Sequence, residues 1–320
     1  MVRAKIRVSS KGSGVNQLIL LVALGLATTS GMTQQGSKRP AIIGISHVTL
    51  RTHDLAKSRE FYGHVLGLAE EKTRGPQEAR FRVNGRQYIE LIAAGEHAPA
   101  DRLVEIGFET TNAEELRTFL CERGVEVPGR VSVASDGTRS FEMRDPEGHP
   151  ISFVQYGGWS RDGWATMAVS RQMIHAGFIV RDRAAEDRFY RDLLGFHVYW
   201  HGGMKDSETD WVDMQTPNGT DWLEYMLHVE ANPSPREAGV MRHLALGVPD
   251  IKPVVRLIQQ RGWPMPEKAE IGRDGKWQLN LYDPDLTRVE VMEFRPVVKP
   301  CCAPYTGSHP GGQVARGASR

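Results

Sequence analysis

The sequence predicts an α+β chain made of four strand–helix–strands units, two in each half. Three observations carry this. "HVTLRTHDLAKSREFYGHVLG", from His47 to Gly67, aligns without a gap on "HAGFIVRDRAAEDRFYRDLLG", from His175 to Gly195. "VEIGFETTNAEELRTFLCERG", starting at Val104, matches "RHLALGVPDIKPVVRLIQQRG", starting at Arg242. Each half then closes on a hairpin-like stretch around an Asp-Pro turn, "MRDPEGHPISFVQY" from Met143 and "LYDPDLTRVEVMEF" from Leu281.

The elements follow in order. Each half opens on an alternating strand, and Asp54 or Asp182 is placed to cap the following helix. An apolar stripe comes next: Phe61, Tyr62, Val65 and Leu66 in the first half, Phe189, Tyr190, Leu193 and Leu194 in the second. The spacing i, i+1, i+4, i+5 puts each stripe on one helical face. Gly67 and Gly195 end these helices. Thr111 with Glu114 has the capping-box pattern for the helix of the second unit. "TDWLEYMLHVE", from Thr220 to Glu230, reads as a strand with a core face of Leu223, Tyr225, Leu227 and Val229. The other face carries Trp222, Glu224, Met226 and His228, and a carboxylate there is costly to bury unless something compensates it.

Composition bounds the rest. The 320 residues are 40% hydrophobic, enough for two domains with their own cores. Forty Lys and Arg against 39 Asp and Glu leave a formal charge of +1, which gives no general attraction to nucleic acid or to an anionic membrane. Cys121, Cys301 and Cys302 do not make a disulfide framework. The adjacent pair Cys301 and Cys302 reads either as a soft-metal or redox site or as an idle pair in a Gly/Pro-rich tail. At the N-terminus, Arg3, Lys5, Arg7 and Lys11 precede the apolar run from Leu18 to Ala27 and then small polar residues. That succession predicts a secretory signal over residues 1–30, a linker over 31–40 and an exported protein, periplasmic or extracellular. An uncleaved N-terminal anchor is the alternative. The two halves run from 41 to 157 and from 172 to 297, joined by a linker over 158–171. The tail, 298–320, is expected to be disordered.

The quoted repeat segments, "RHLALGV" and the two Asp-Pro turns resemble the vicinal oxygen chelate superfamily, which includes glyoxalase I, type I extradiol dioxygenases and bleomycin-resistance proteins. The resemblance covers both halves. It implies four βαβββ units, paired into two half-barrel domains whose curved sheets enclose a cleft. It also implies metal ligands on the first and last strands of paired units. In the second half those positions hold His175, Glu224, His243 and Glu290. Glu224 is then compensated by one divalent cation: Zn, Ni, Co, Mn or Fe(II). The first half is degenerate, with His47 and Glu90 at two positions but Glu105 and Ser152 at the others. Consecutive pairing of units gives the set His175, Glu224, His243 and Glu290. Pairing swapped between halves gives His47, Glu90, His243 and Glu290. The short connection "ANPSPREAGV" favours the consecutive form. His201 and Tyr282 are secondary acid–base candidates, and His228 is a candidate for the cleft wall.

What the resemblance implies about chemistry gives one main reading, the lyase or isomerase, and two alternatives. Ligation by two His and two Glu resembles glyoxalase-like lyase or isomerase sites, with Glu224 or Glu290 leaving the metal to act as the catalytic base. Ligation by His175, His243 and Glu290 alone resembles the Fe(II) facial triad of extradiol ring-cleaving dioxygenases. A non-catalytic binder of a small molecule is the third. All three expect a small oxygen-rich substrate or ligand and a monomer or homodimer.

Overall fold

The computed structural model describes residues 37–73, 75–95, 102–158 and 167–311. The expected signal segment lies outside these residues, as does most of the linker over 31–40. Among the described residues no helix is long and apolar enough to cross a membrane.

The first half contains β1 (Ile42–Thr52), α1 (Leu55–Arg59), β2 (Ala69–Glu71), β3 (Glu78–Arg82), β4 (Tyr88–Ala93), β5 (Leu103–Thr110), α2 (Ala113–Cys121), β6 (Ser132–Val133), β7 (Arg139–Arg144) and β8 (Pro150–Gln155). The second contains β9 (Met173–Ile179), α3 (Arg183–Glu186), β10 (His197–Gly202), β11 (Trp211–Gln215), β12 (Trp222–Met226), α4 (Pro235–Met241), β13 (His243–Val248), α5 (Ile251–Gln260), β14 (Glu270–Ile271), β15 (Trp277–Tyr282) and β16 (Arg288–Glu293). Two mixed eight-stranded sheets result, ordered β2-β3-β4-β1-β5-β8-β7-β6 and β10-β11-β12-β9-β13-β16-β15-β14. This is the expected α+β architecture of two half-barrels with four repeated units. The opening strands of consecutive units, β1 with β5 and β9 with β13, pair antiparallel at the centre of each sheet. The units are therefore paired consecutively. The swapped set does not form, because His47 and Glu90 lie on one sheet while His243 and Glu290 lie on the other.

Local chemistry explains the element ends. Asp54 and Asp182 accept from the backbone N–H of Lys57 and Ala185, capping α1 and α3. For α2 the cap is Asn112, which accepts from the N–H of Glu115, one residue beyond the expected Thr111. The Thr111 hydroxyl is engaged elsewhere, accepting from the N–H of Ala41 at 3.2 Å. After α1 and α3 the chain widens into π-helical turns, Glu60–Val65 and Asp187–Leu193. The N–H of Leu66 reaches the carbonyl of Phe61 at 2.9 Å, and that of Leu194 reaches Phe189 at 3.0 Å. An i→i+5 turn gathers i, i+1, i+4 and i+5 on one face, and Phe61, Tyr62, Val65 and Leu66 are all buried.

One apolar core runs through both halves. Cross-half hydrogen bonds tie it together in matched pairs. The Tyr62 hydroxyl donates to Asp283 at 3.0 Å, and the Tyr190 hydroxyl donates to Asp145 at 3.3 Å. Each tyrosine belongs to one half's Phe-Tyr motif, and each aspartate to the other half's Asp-Pro turn. At the centre, buried Gln87 donates to the carbonyls of Ile45 and Met173 at 3.0 and 2.9 Å and accepts from the N–H of Met173 at 2.9 Å. Asp221 accepts from Ile45 N–H and from Gln87, both at 3.1 Å. Burial pushes its carboxyl up to about 7 against the hydrogen bonds from Gln172 and Ile45.

The tail departs from expectation. Residues 298–311 are not disordered; they pack on the second half, while 312–320 lie outside the described residues. Tyr305 donates to the carbonyl and carboxylate of Asp274 at 2.9 and 3.1 Å, and the N–H of Thr306 bonds the carbonyl of Tyr199 at 2.9 Å. Cys301 and Cys302 are joined by a disulfide, and Trp200 donates to the Cys301 carbonyl at 3.3 Å. A few aromatic anchors outweigh the Gly/Pro-rich composition that reads as disorder.

Candidate metal centre

β9 runs down the middle of the second sheet, between β12 and β13. The register sets Gly177 beside both Glu224 and His243. A Cβ at Gly177 would collide with the His243 ring, so only glycine leaves the imidazole its place. His175 lies opposite Trp222 and Ala245, and Ala245 lies opposite Glu290. Four strands thus aim two imidazoles and two carboxylates at one spot, as the sequence placed them.

The distances are short. His175 Nε2 and His243 Nε2 are 3.0 Å apart. Glu224 Oε2 is 2.8 Å from His243 Nε2 and 3.7 Å from His175 Nε2. Glu290 Oε2 is 3.4 Å from His175 Nε2 and 4.0 Å from His243 Nε2. Ligand atoms of His175, Glu224 and His243 all fall within 4.8 Å of one another, close enough to share one ion. His175, His243 and Glu290 are buried, and Glu224 keeps slight exposure.

Electrostatics suits a cation. Burial lowers His243 to about 4, aided by the Arg288 charge and opposed by Glu224, so its imidazole is neutral at neutral pH with a lone pair to give. For Glu224, burial pushes upward, but in acid the protonated His243, which then donates to it, and the charges of His175 and Arg288 prevail and hold it at about 2. Glu290 is likewise lowered, burial being outweighed by His175 and Arg288. Two ionised carboxylates and a neutral imidazole in a buried pocket match the donor set of a divalent cation. A single divalent cation is consistent with this cluster.

Three residues that sequence reasoning did not single out shape the site. Arg288 lies two positions before Glu290, so it shares its face, and it donates to His243 Nε2 at 2.7 Å. A cation taking that lone pair displaces this contact. Behind the cluster, Lys276 is wholly buried against the rings of Trp222, Tyr305 and Tyr199, at 4.5, 5.0 and 5.1 Å, and 3.9 Å from Asp274. Asp213, opposite Glu224 in the register, is pushed upward by burial and by the Glu224 charge. Of the secondary candidates, Tyr282 donates to Glu267 at 2.5 Å. His201 is half-buried on β10. His228 does not wall the cleft: β12 ends at Met226, and His228 turns out to solvent onto Asp210 at 2.9 Å.

The first half shows what the same frame does without the ligand set. His47 Nε2 is 3.2 Å from Glu105, and His47 Nδ1 is 2.7 Å from the Ser46 hydroxyl. Glu90 is taken by Arg80 at 2.7 Å. Tyr88 stacks on His47 at 4.6 Å.

Comparison with known proteins agrees with this architecture. The curated iron-dependent extradiol dioxygenase of Rhodococcus jostii (strain RHA1) is 28% identical over 170 residues, covering 49% of this chain and 56% of that protein. The chain thus spans about half the length of the curated relative it matches. Among solved structures, homoprotocatechuate 2,3-dioxygenase from Brevibacterium fuscum, in complex with 3,4-dihydroxyphenylacetate, superposes with a TM-score of 0.60 at 19% identity over 80% of this chain and 82% of that one. The same-named enzyme from Arthrobacter globiformis gives 0.60 at 18% identity, covering 80% of each chain. At such identities the likeness is one of fold. The profile of the Glyoxalase/Bleomycin resistance protein/Dioxygenase superfamily matches residues 44–153 and 172–291, one match in each half. The chain belongs to that superfamily.

Proposed function

We propose that the protein is a metal-dependent ring-cleaving dioxygenase of the extradiol type, acting on a small catechol through one iron. The observation that carries the reading is the convergence of His175, His243 and Glu290 within 3.0 to 4.0 Å on β9, β13 and β16. The partial match to an iron-dependent extradiol dioxygenase supports it. Fe(II) bound there would supply Lewis acidity and the redox chemistry that dioxygen requires. The chain's own residues do the rest. His175, His243 and Glu290 would hold the ion. Glu224, an ionised carboxylate, accepts a hydrogen bond from a catechol hydroxyl. Arg288 offers its positive charge to the anion so formed. Trp222, tilted against the His175 ring at 4.9 Å, walls the site.

One observation favours a second reading, a lyase or isomerase. Glu224 lies closer to both imidazoles than a bystander need, 2.8 and 3.7 Å, and fits as a fourth ligand. Elemental analysis of protein purified without chelators, followed by oxygen uptake with catechol and 3,4-dihydroxyphenylacetate, separates the readings. The expected result is one equivalent of iron and catechol-dependent oxygen consumption. Bound metal without oxygen uptake would move the assignment to the lyase or isomerase class, and a metal-free protein would leave the non-catalytic binder. Export through residues 1–30 is part of the proposal, and an intact Met1 in protein from the native cell would refute cleavage.

A further inference from the structure

The first half contains a cavity of about 520 Å³ that the proposed reaction does not use. It occupies the place that Lys276 and the tail fill in the second half. The turn Asp136-Gly137-Thr138 matches Asp274-Gly275-Lys276, with both glycines at positive φ, 82° and 83°. Thr138 is short where Lys276 is long, so this corner stays open. Arg80 stands where the second half has Asp213: each faces a strand glutamate, Glu90 or Glu224, in the register. Tyr88 takes the place of Trp222 in the same way.

Arg80, Arg82, Arg86, Lys72, Tyr88 and Tyr156 line the cavity. The guanidiniums are held by carboxylates, Arg80 by Glu90, Arg82 by Glu71 and Arg86 by Glu109. Glu90 and Glu109 are not in the lining, so they orient the cations without lining the cavity; Glu71 and Asp136 are the carboxylates that do line it. A guanidinium has five donors, and a single carboxylate uses at most two in a fork. Arg80 stacks on Tyr88 at 4.1 Å and Arg86 lies over Tyr156 at 5.8 Å, which makes flat walls of alternating cation and ring. The volume is that of a site for one small molecule.

We propose that this cleft is a second, metal-free binding site, for a small planar aromatic carboxylate held by Arg82, Arg86 and Lys72 between the Arg80–Tyr88 and Arg86–Tyr156 walls. It is separate from the metal cluster, which lies on the other sheet. Calorimetric titration of the full-length protein with benzoate, its uncharged isostere benzamide and inorganic phosphate tests it. Benzoate should saturate one site, weaken as salt rises, and bind at least tenfold more tightly than benzamide. Arg82→Gln should weaken benzoate by roughly tenfold, the effect of losing a hydrogen bond to a charged group, and Lys72→Glu at the exposed mouth should weaken it without touching the sheet. His243→Ala should leave this site intact. Unchanged benzoate binding in Lys72→Glu and in a folded Arg82→Gln would overturn the proposal. So would loss of binding in His243→Ala alone, or saturation by phosphate but not by benzoate.

Discussion

The two sheets have one strand order, one set of turns and one placement of a central histidine, yet among the described residues only the second brings another imidazole and two carboxylates to that histidine. In the second half His175 meets His243 across β9 and β13, and both carboxylates turn to them. In the first half His47 meets Glu105, and Arg80 draws Glu90 away. The frame is indifferent to the metal; three or four side chains decide. Each half also keeps a glycine opposite a histidine, though on different strands: a Cβ at Gly107 on β5 would strike His47, and one at Gly177 on β9 would strike His243.

Four experiments break or sharpen that contrast. The largest effect is expected for His243→Ala, which should lower metal affinity by more than roughly a hundredfold, since even outer-shell partners are worth ten- to a hundredfold. Glu90→Ala should leave metal content nearly unchanged, and metal loss in Glu90→Ala with retention in Glu224→Ala would erase the asymmetry. Acid titration of the metal-free protein comes next. His243 has its folded value depressed to about 4 from 6.5, so the unfolded chain binds the proton first and stability falls as pH drops from about 6.5 to about 4. Glu224, held at about 2, adds loss below about 4.5. Asp221, raised to about 7, works the other way, because its burial favours folding at low pH. The difference between wild type and His243→Gln in urea melts isolates the first slope, on the order of 3 kcal/mol for a shift of this size; parallel curves would contradict it.

The seam between the halves is the third target. Gln87→Ala strands the carbonyls of Ile45 and Met173 and the N–H of Met173, and should cost about 2 kcal/mol by chemical denaturation. A loss below about 0.5 kcal/mol would mean that water or neighbours take over these groups. The smallest effect separates two matching turns. Leu286 sits at φ 68°, where the first half has Gly148 at 87°. Leu286→Gly should stabilise by up to about 1 kcal/mol, the left-handed penalty of a side chain less the entropy glycine adds to the unfolded chain. A lower melting temperature would show that the Leu286 side chain packs more than its backbone strains.

Much of this was legible in the sequence because repetition fixes it. The matched His, Asp, Phe-Tyr and Gly positions located strands, caps and helix ends, and the short link before β13 pointed to consecutive pairing. Arg288, Lys276 and Asp213 were not legible, since a charged residue in a strand or turn reads as solvent-facing. The burial of Lys276 depends on an aromatic cage assembled from Tyr199, Trp222 and Tyr305, far apart in the chain. The tail misled for the same reason: composition does not reveal that Tyr305 finds Asp274. The π turns escaped because i, i+1, i+4, i+5 spacing also satisfies an α-helix.

The crossed tyrosine–aspartate bonds constrain how such a chain can change over time. Tyr62 leans on the Asp-Pro turn of one half and Tyr190 on that of the other, so neither half carries a complete set of its own supports. A duplicate that has given up its ligands would ordinarily be free to erode or be deleted. Here deletion would leave the buried Tyr190 hydroxyl and one oxygen of Asp283 without their partners in the surviving half, while exchange of His47 or Glu90 disturbs neither bond. Inheritance can therefore rewrite the chemistry of the first half but cannot discard its body.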